Sequence, residues 1–257
     1  MTDTGIPSDY VEHAPPAALR EYVECFWTRG DAPARDAMHH ILPDGCIDIV
    51  LCYRSSAAGE SPSATLAVGT MTRPLSVNAS EAAVFVGARF WPGRALPFLG
   101  VPASAITDLR VDVGDLWPPR ADSLAHIKGH ELGAWRQAFE RLLLRRLESA
   151  RPLDVTVDAA LRAILRAGGN LSIAALAPAL GVTRQHLARA FALHVGVPPK
   201  MFARVARVRR VLGKARVATH VDWTALALDA GFYDQAHLSG EIRELTGRTP
   251  TEWVDSD

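Results

Sequence analysis

Arg184, Gln185, Ala188, Arg189 and Ala192 share one face of a helical stretch, opposite Leu187 and Phe191. Two of these residue types are base readers. An arginine guanidinium donates two parallel hydrogen bonds to guanine O6 and N7, and a glutamine amide pairs with adenine N6 and N7. Each correct pairing discriminates against the wrong base by roughly 1–3 kcal/mol. On a purely structural helix the same residues would be no more than a solvated surface. The surrounding charge is unusual. The 257-residue chain has a formal net charge of zero, yet residues 158–216 hold eleven basic side chains and one acidic, whereas residues 217–257 hold two basic and eight acidic. Folded surfaces ordinarily mix signs, so a block this basic is either a footprint for a polyanion or a one-signed face without a partner.

Other residues imitate catalytic spacing and fall short of it. His130-Glu131 begins like the zinc-protease pattern H-E-x-x-H, but position 134 is Ala and the second ligand is missing. His126 and His130 lie one helical turn apart, where a metal would compete with a simple solvated pair. His39 and His40 are adjacent, and on a strand they point to opposite faces. Cys25, Cys46 and Cys52 lack paired zinc spacing and read as core thiols. No phosphate loop or nucleophile elbow is present. No catalytic residue, metal ligand or cofactor is therefore expected. The alternative to be kept is a small-molecule-modifying or metal-dependent enzyme fused to a DNA-binding domain.

Three cysteines suit a reducing compartment. The polar, acidic start of the chain lacks the features of a signal peptide, and no apolar run approaches the ~18 residues of a membrane span. A cytoplasmic protein with no membrane partner is expected. With 48% apolar residues the chain can build two domains, each with its own core.

The elements that position these groups follow from periodicity. Residues 20–117 read mainly as strands broken by Pro and Gly. Ile47, Ile49 and Leu51 alternate onto one face after a Pro43-Asp44-Gly45 turn. From Ala83 to Trp91, Val84, Val86, Ala88 and Phe90 share a face, and Phe85, Arg89 and Trp91 share the other. Residues 123–148 read as a helix whose stripe of Trp135, Phe139, Leu142 and Leu143 either packs on its own domain or forms a dimer through Trp135, Phe139 and Leu143. Helical periodicity then runs from about residue 155 onward.

This last region is duplicated. Ile173, Leu176, Ala177, Leu180, Gly181 and Thr183 are followed by His186, Leu187, Phe191, Gly196 and Pro199. Fifty residues on come Trp223, Leu226, Ala227, Ala230 and Gly231, and at an offset of 51, Asp234, His237, Leu238, Ile242, Gly247 and Pro250. Each copy makes physical sense as helix, tight turn and helix. The alanines let two helices cross closely, the glycines supply a left-handed turn residue, and Thr183 and Asp234 cap the second helix. This is the pattern of a helix-turn-helix, whose second helix enters the major groove. Between the copies, a helix from about Pro199 to Lys214 carries Lys200, Arg204, Arg207, Arg209 and Arg210 around its circumference. They cannot all face DNA; some are expected on phosphate and some on the acidic second copy.

The stretch LAPALGVTRQHLARAFALHVGVPPKMFARVARVRRVL resembles the first module and connecting helix of the AraC/XylS family of regulators. WTALALDAGFYDQAHLSGEIRELTGRTPTEW resembles its second module, including the family's GFYDQ-x-H signature. FWTRG, HHILPDGCIDIVL and VGARFWPGRALPFLGVPASAITDL resemble an uncharacterised domain often fused ahead of this unit. The resemblance implies a sequence-specific transcription factor that binds double-stranded DNA, acts as a homodimer, and answers an unknown small-molecule effector or protein partner, with RNA polymerase as a further partner. It points to Gln185, Ala188 and Arg189 as groove-facing in the first copy, and to Gln235, Ala236, Ser239 and Gly240 in the second. The full set expected at DNA adds Thr183, Arg184, Lys200, Arg204, Arg207 and Arg243. Gly240 stands where the family commonly has Arg.

The expected fold class is α+β. A mainly-β, barrel- or sandwich-like sensor domain (residues 1–122) precedes a helical linker (123–152) and an all-α double helix-turn-helix domain (153–257). For the sensor, two readings stay open. Phe85, Arg89 and Trp91 line a pocket for an anionic or aromatic ligand, or Phe85 and Trp91 are core and Arg89 pairs with an acid such as Asp48.

Overall fold

Alternation in the sequence becomes two-sidedness in space. Ile47, Ile49 and Leu51 of β4 (Ile47–Arg54) and Val86, Ala88 and Phe90 of β7 (Ala83–Phe90) are all buried on one face of a six-stranded sheet. This computed structural model describes residues 10–30, 38–54, 64–78, 83–117, 132–148 and 153–254. The sheet's remaining strands are β1 (Tyr10–His13), β2 (Val23–Arg29), β5 (Ala64–Val68) and β8 (Arg110–Asp112), in the order β1-β2-β7-β4-β5-β8 with every neighbour antiparallel. Strands β3 (Met38–Ile41) and β6 (Leu75–Asn78) pair separately as a two-stranded sheet. Short helices follow the strands: η1 (Ala17–Leu19), α1 (Leu96–Leu99), η2 (Ala103–Ile106) and α2 (Val113–Leu116).

Helix α3 (Leu132–Leu147) covers the apolar face of the sheet. The stripe expected at a dimer seam is buried inside the protomer. Trp135 is 5% exposed and Phe139 and Leu143 are 0%, and the Phe139 ring meets Phe26 edge to face at 5.8 Å. The exposed positions of α3 include Gly133, Ala134, Gln137 and Arg141, which form no apolar seam. The dimer role assigned to Trp135, Phe139 and Leu143 is thus corrected: the sheet needs an apolar cover, and this stripe supplies it. Residues 123–131, including His126 and His130, lie outside the described residues.

Helices make up the rest: α4 (Val155–Arg166), α5 (Ile173–Ala179), α6 (Arg184–His194), α7 (Pro199–Val217), α8 (Trp223–Asp229), α9 (Gln235–Thr246) and α10 (Pro250–Val254). The fold is α+β. One helical core gathers Leu161, Ile164, Ala177, Leu187, Phe191 and Phe202; a second gathers Val208, Leu212, Ala227, Phe232, Leu238 and Ile242. Helix α7 contributes to both and ties them together. The β-rich part leans on these helices directly: the Phe202 ring lies where a Gly45 side chain would be, and Arg94 pairs with Asp158 of α4. No helix among the described residues is long and apolar enough to cross a membrane.

Candidate nucleic-acid interface

The two helix-turn-helix copies close in the same way. In the first, Gly181 turns at φ +71°, and the Val182 N–H donates to the Ala177 carbonyl at 3.1 Å. In the second, Gly231 turns at φ +76°, and the Phe232 N–H donates to the Ala227 carbonyl at 2.9 Å. Both second helices carry the expected caps: Thr183 Oγ1 accepts from the His186 N–H at 3.1 Å, and Asp234 Oδ1 from the His237 N–H at 2.7 Å. Each cap satisfies one of the orphan donors at a helix start.

Helix α6 has one face buried by Leu187, Ala190 and Phe191. Its other face exposes Thr183, Arg184, Gln185, Ala188 and Arg189 together. Among the described residues, no hydrogen bond or ion pair within the protein engages the Arg184, Gln185 or Arg189 side chain. Helix α9 is different. Gln235, Ala236, Gly240 and Arg243 are exposed and Ser239 is half-buried. Gln235 Oε1 accepts from Thr224 Oγ1 at 3.0 Å, and Ser239 Oγ donates back to the Gln235 carbonyl at 2.8 Å. Such backward bonding uses a hydroxyl that would otherwise be offered outward.

The connecting helix resolves the crowd of cations. Lys200 is exposed. Arg204, expected at DNA, is engaged within the protein: its Nε donates to Glu241 at 2.9 Å and its Nη2 to Glu244 at 2.7 Å, and these partners hold its pKa above the ordinary value. Arg207, also expected at DNA, lays its guanidinium over the Phe232 ring at 5.0 Å and buries its Nε. Arg210 and Lys214 reach Asp229 at 3.1 and 2.7 Å and hold its carboxyl below the usual range, Lys214 contributing most. Acidic residues of the second module lie against α7, and a carboxylate is a strong hydrogen-bonding partner for an arginine.

In the sheet domain, Phe85, Arg89 and Trp91 do not form one pocket. Positions 85 and 91 are six residues apart along an extended chain, roughly 20 Å. Arg89 sits among acids, with Asp48 at 3.6 Å and Asp44 and Glu12 at 3.8 Å. The pairing with Asp48 holds, and an anionic ligand is disfavoured there. Trp91 is 41% exposed, so it is not core, and its Nε1 donates to the Arg20 carbonyl at 3.2 Å. Phe85 is half-buried beneath the Arg29 guanidinium at 5.8 Å. Burial pushes the Cys25 thiol up to about 12 and the Cys46 thiol well above its usual value, which suits core thiols. Among the described residues, no group of three His, Cys, Asp or Glu is placed to hold a metal ion.

Sequence reasoning missed the contacts that join sheet domain to helices. Thr70 Oγ1 donates to the Val195 carbonyl across 125 positions, Thr107 Oγ1 to the Gly196 carbonyl across 89, and Arg209 Nη1 to the Asp44 carbonyl across 165. No local signal announces pairs so distant.

Residues 11–112 match the family model described as a domain of unknown function, DUF6597, and residues 176–256 match that of a helix-turn-helix domain. No curated protein matches the chain. Among solved structures, the chain is 23% identical to a transcriptional regulator of Chromobacterium violaceum (AraC-type DNA-binding domain-containing proteins), covering 39% of this chain and 89% of that one at a TM-score of 0.37. It is 12% identical to ToxT of Vibrio cholerae, covering 90% and 98% at a TM-score of 0.47. A xylose-binding transcription activator, XylR, is 17% identical over 49% of this chain and 39% of its own, at a TM-score of 0.37. The chain thus carries a domain of unknown function, DUF6597, ahead of a helix-turn-helix domain whose two capped copies close alike.

Proposed function

We propose that the chain is an AraC-type DNA-binding transcriptional regulator that reads its operator chiefly through α6, with Arg184, Gln185 and Arg189 on base edges, Thr183 and Lys200 on the phosphate backbone, and α9 adding a weaker contact through Gln235 and Arg243. One observation carries this reading: α6 presents Arg184, Gln185 and Arg189 unengaged on a single exposed face, whereas α9 has Gln235 and Ser239 tied inside the protein. Phosphate contacts position a protein on the duplex, and base contacts give it preference.

The sheet domain is proposed to report a small-molecule effector or protein partner to the helices, in the cytoplasm. Its direct hydrogen bonds to the junction between α6 and α7 and to the middle of α7 support that role. A homodimer requires a surface other than the apolar stripe of α3, which the protomer uses internally.

The test is selection of duplexes from a random library by the full chain, followed by titration at several salt concentrations. A defined sequence is expected to emerge, with log K falling by about 0.9 per phosphate neutralised for each unit of log salt. Failure to enrich any sequence overturns the reading.

A further inference from the structure

Recognition helix α6 ends against the sheet domain, and the contact there is built from two hydroxyls. Thr70, 1% exposed, donates from Oγ1 to the Val195 carbonyl at 2.5 Å. Thr107 donates from Oγ1 to the Gly196 carbonyl at 2.7 Å. These carbonyls lie just past the last turn of α6, where backbone acceptors have no helical partner. Gly196 has φ +91°, and a side chain there would come within 3.0 Å of Thr107 Oγ1 and 3.1 Å of the Ala103 carbonyl, so η2 lies close against the helix end.

The two threonines are themselves held rigidly. The Gly69 N–H donates to the Leu109 carbonyl at 3.0 Å and the Asp108 N–H to the Thr70 carbonyl at 3.1 Å. The Asp108 carboxylate accepts from the Thr72 N–H at 2.7 Å and from Thr72 Oγ1 at 2.6 Å. Asp108 has φ +57°, and among the described residues it alone adopts a positive φ without being glycine. A non-glycine residue stays in that region only where its surroundings over-determine it. Two cross-tied loops therefore present a fixed pair of donors to the end of α6.

We infer that Thr70 and Thr107 are positioning residues for DNA reading: this clamp sets the pitch of α6 in the groove. The sheet domain is then part of the base-reading apparatus, and anything that shifts loops 69–72 or 106–109 shifts base contacts. The inference rests on the proposal that α6 is the main reader. Its consequence is selective. Base-edge hydrogen bonds fail with small displacements, whereas attraction to phosphate tolerates them.

The experiment uses the full chain with two duplexes of equal length, one selected by the protein from a random library and one with the same bases shuffled. Thr70→Val with Thr107→Val removes both donors and nearly keeps their shape. Affinity for the selected duplex is expected to fall about tenfold, with affinity for the shuffled duplex and its salt slope unchanged. Serine at both positions restores the donors and the preference. Equal weakening on both duplexes, or no change on either, overturns the inference. If the double variant does not fold, Thr107→Val alone decides, with about threefold loss on the selected duplex supporting the clamp and no loss overturning it. Arg189→Ala runs alongside. If it leaves both duplexes unaffected, α6 is not the reader and the proposed function fails. If it removes preference while the valine variants do not, only the clamp fails.

Discussion

Arg204 on α7 donates from Nε to Glu241 on α9 at 2.9 Å, with Arg204 23% and Glu241 18% exposed. That contact joins the basic connecting helix to the acidic second module, so opposite charges that look like separate blocks along the chain neutralise each other in space. Arg204→Met leaves the Glu241 carboxylate half-buried without its partner. It is expected to destabilise the protein by about 1–3 kcal/mol, seen in denaturant unfolding, while the salt slope of DNA binding stays as it was. A shallower slope would return Arg204 to the phosphate contacts.

The two reading helices are unequal. Arg189→Ala is expected to cost about 1–3 kcal/mol of affinity and to relax preference at one or two base pairs. Gln235→Ala should cost less, because its amide oxygen already serves Thr224, and Ser239→Ala less again, because its hydroxyl serves the Gln235 carbonyl. Titration of all three variants on one selected duplex at one salt concentration ranks them. An equal loss for Gln235→Ala contradicts the order.

Gly240 is exposed on α9 with nothing within 4 Å of where a side chain would begin. No packing reason demands glycine there. Gly240→Ala is expected to stabilise the protein by about 0.5–1 kcal/mol through helix propensity. Gly240→Arg should add a phosphate or base contact to the weaker module, steepening the salt slope by about 0.9. Thermal unfolding checks the first, and titrations across salt check the second. An unchanged slope would place Gly240 away from DNA.

His194, in the last turn of α6, is held below its usual pKa of 6.5 by burial, with the Asp154 carboxylate opposing from 3.9 Å. His13 is shifted the same way by burial and by Arg136. A lowered imidazole stays neutral in the fold while the unfolded chain takes up a proton. Stability is therefore full above about pH 6.5 and declines as pH falls toward the folded-state pKa. Melting curves between about pH 7.5 and 5 should show the decline. His194→Gln should remove part of it, leaving the share due to His13. A slope identical to the parent's would rule His194 out as a contributor.

Much of this was legible from the chain alone, and for one reason. Strand alternation at Ile47, Ile49 and Leu51, the glycine turns at 181 and 231, and the caps at Thr183 and Asp234 all depend on neighbours within a few residues. Backbone geometry fixes which of these share a face. Duplication then made two weak local patterns into one strong one, and the exposed set on α6 followed from helical period. What the sequence left open was the partner of each charged or apolar side chain, because partners arrive from far along the chain. The stripe of Trp135, Phe139 and Leu143 suits a dimer seam or a sheet cover equally well, and the bare apolar face of the sheet decided it. An arginine suits phosphate or carboxylate equally well, and Glu241, Glu244 and Phe232 claimed Arg204 and Arg207 by lying against α7. Periodicity tells which way a side chain points; only the tertiary fold brings up what it meets there.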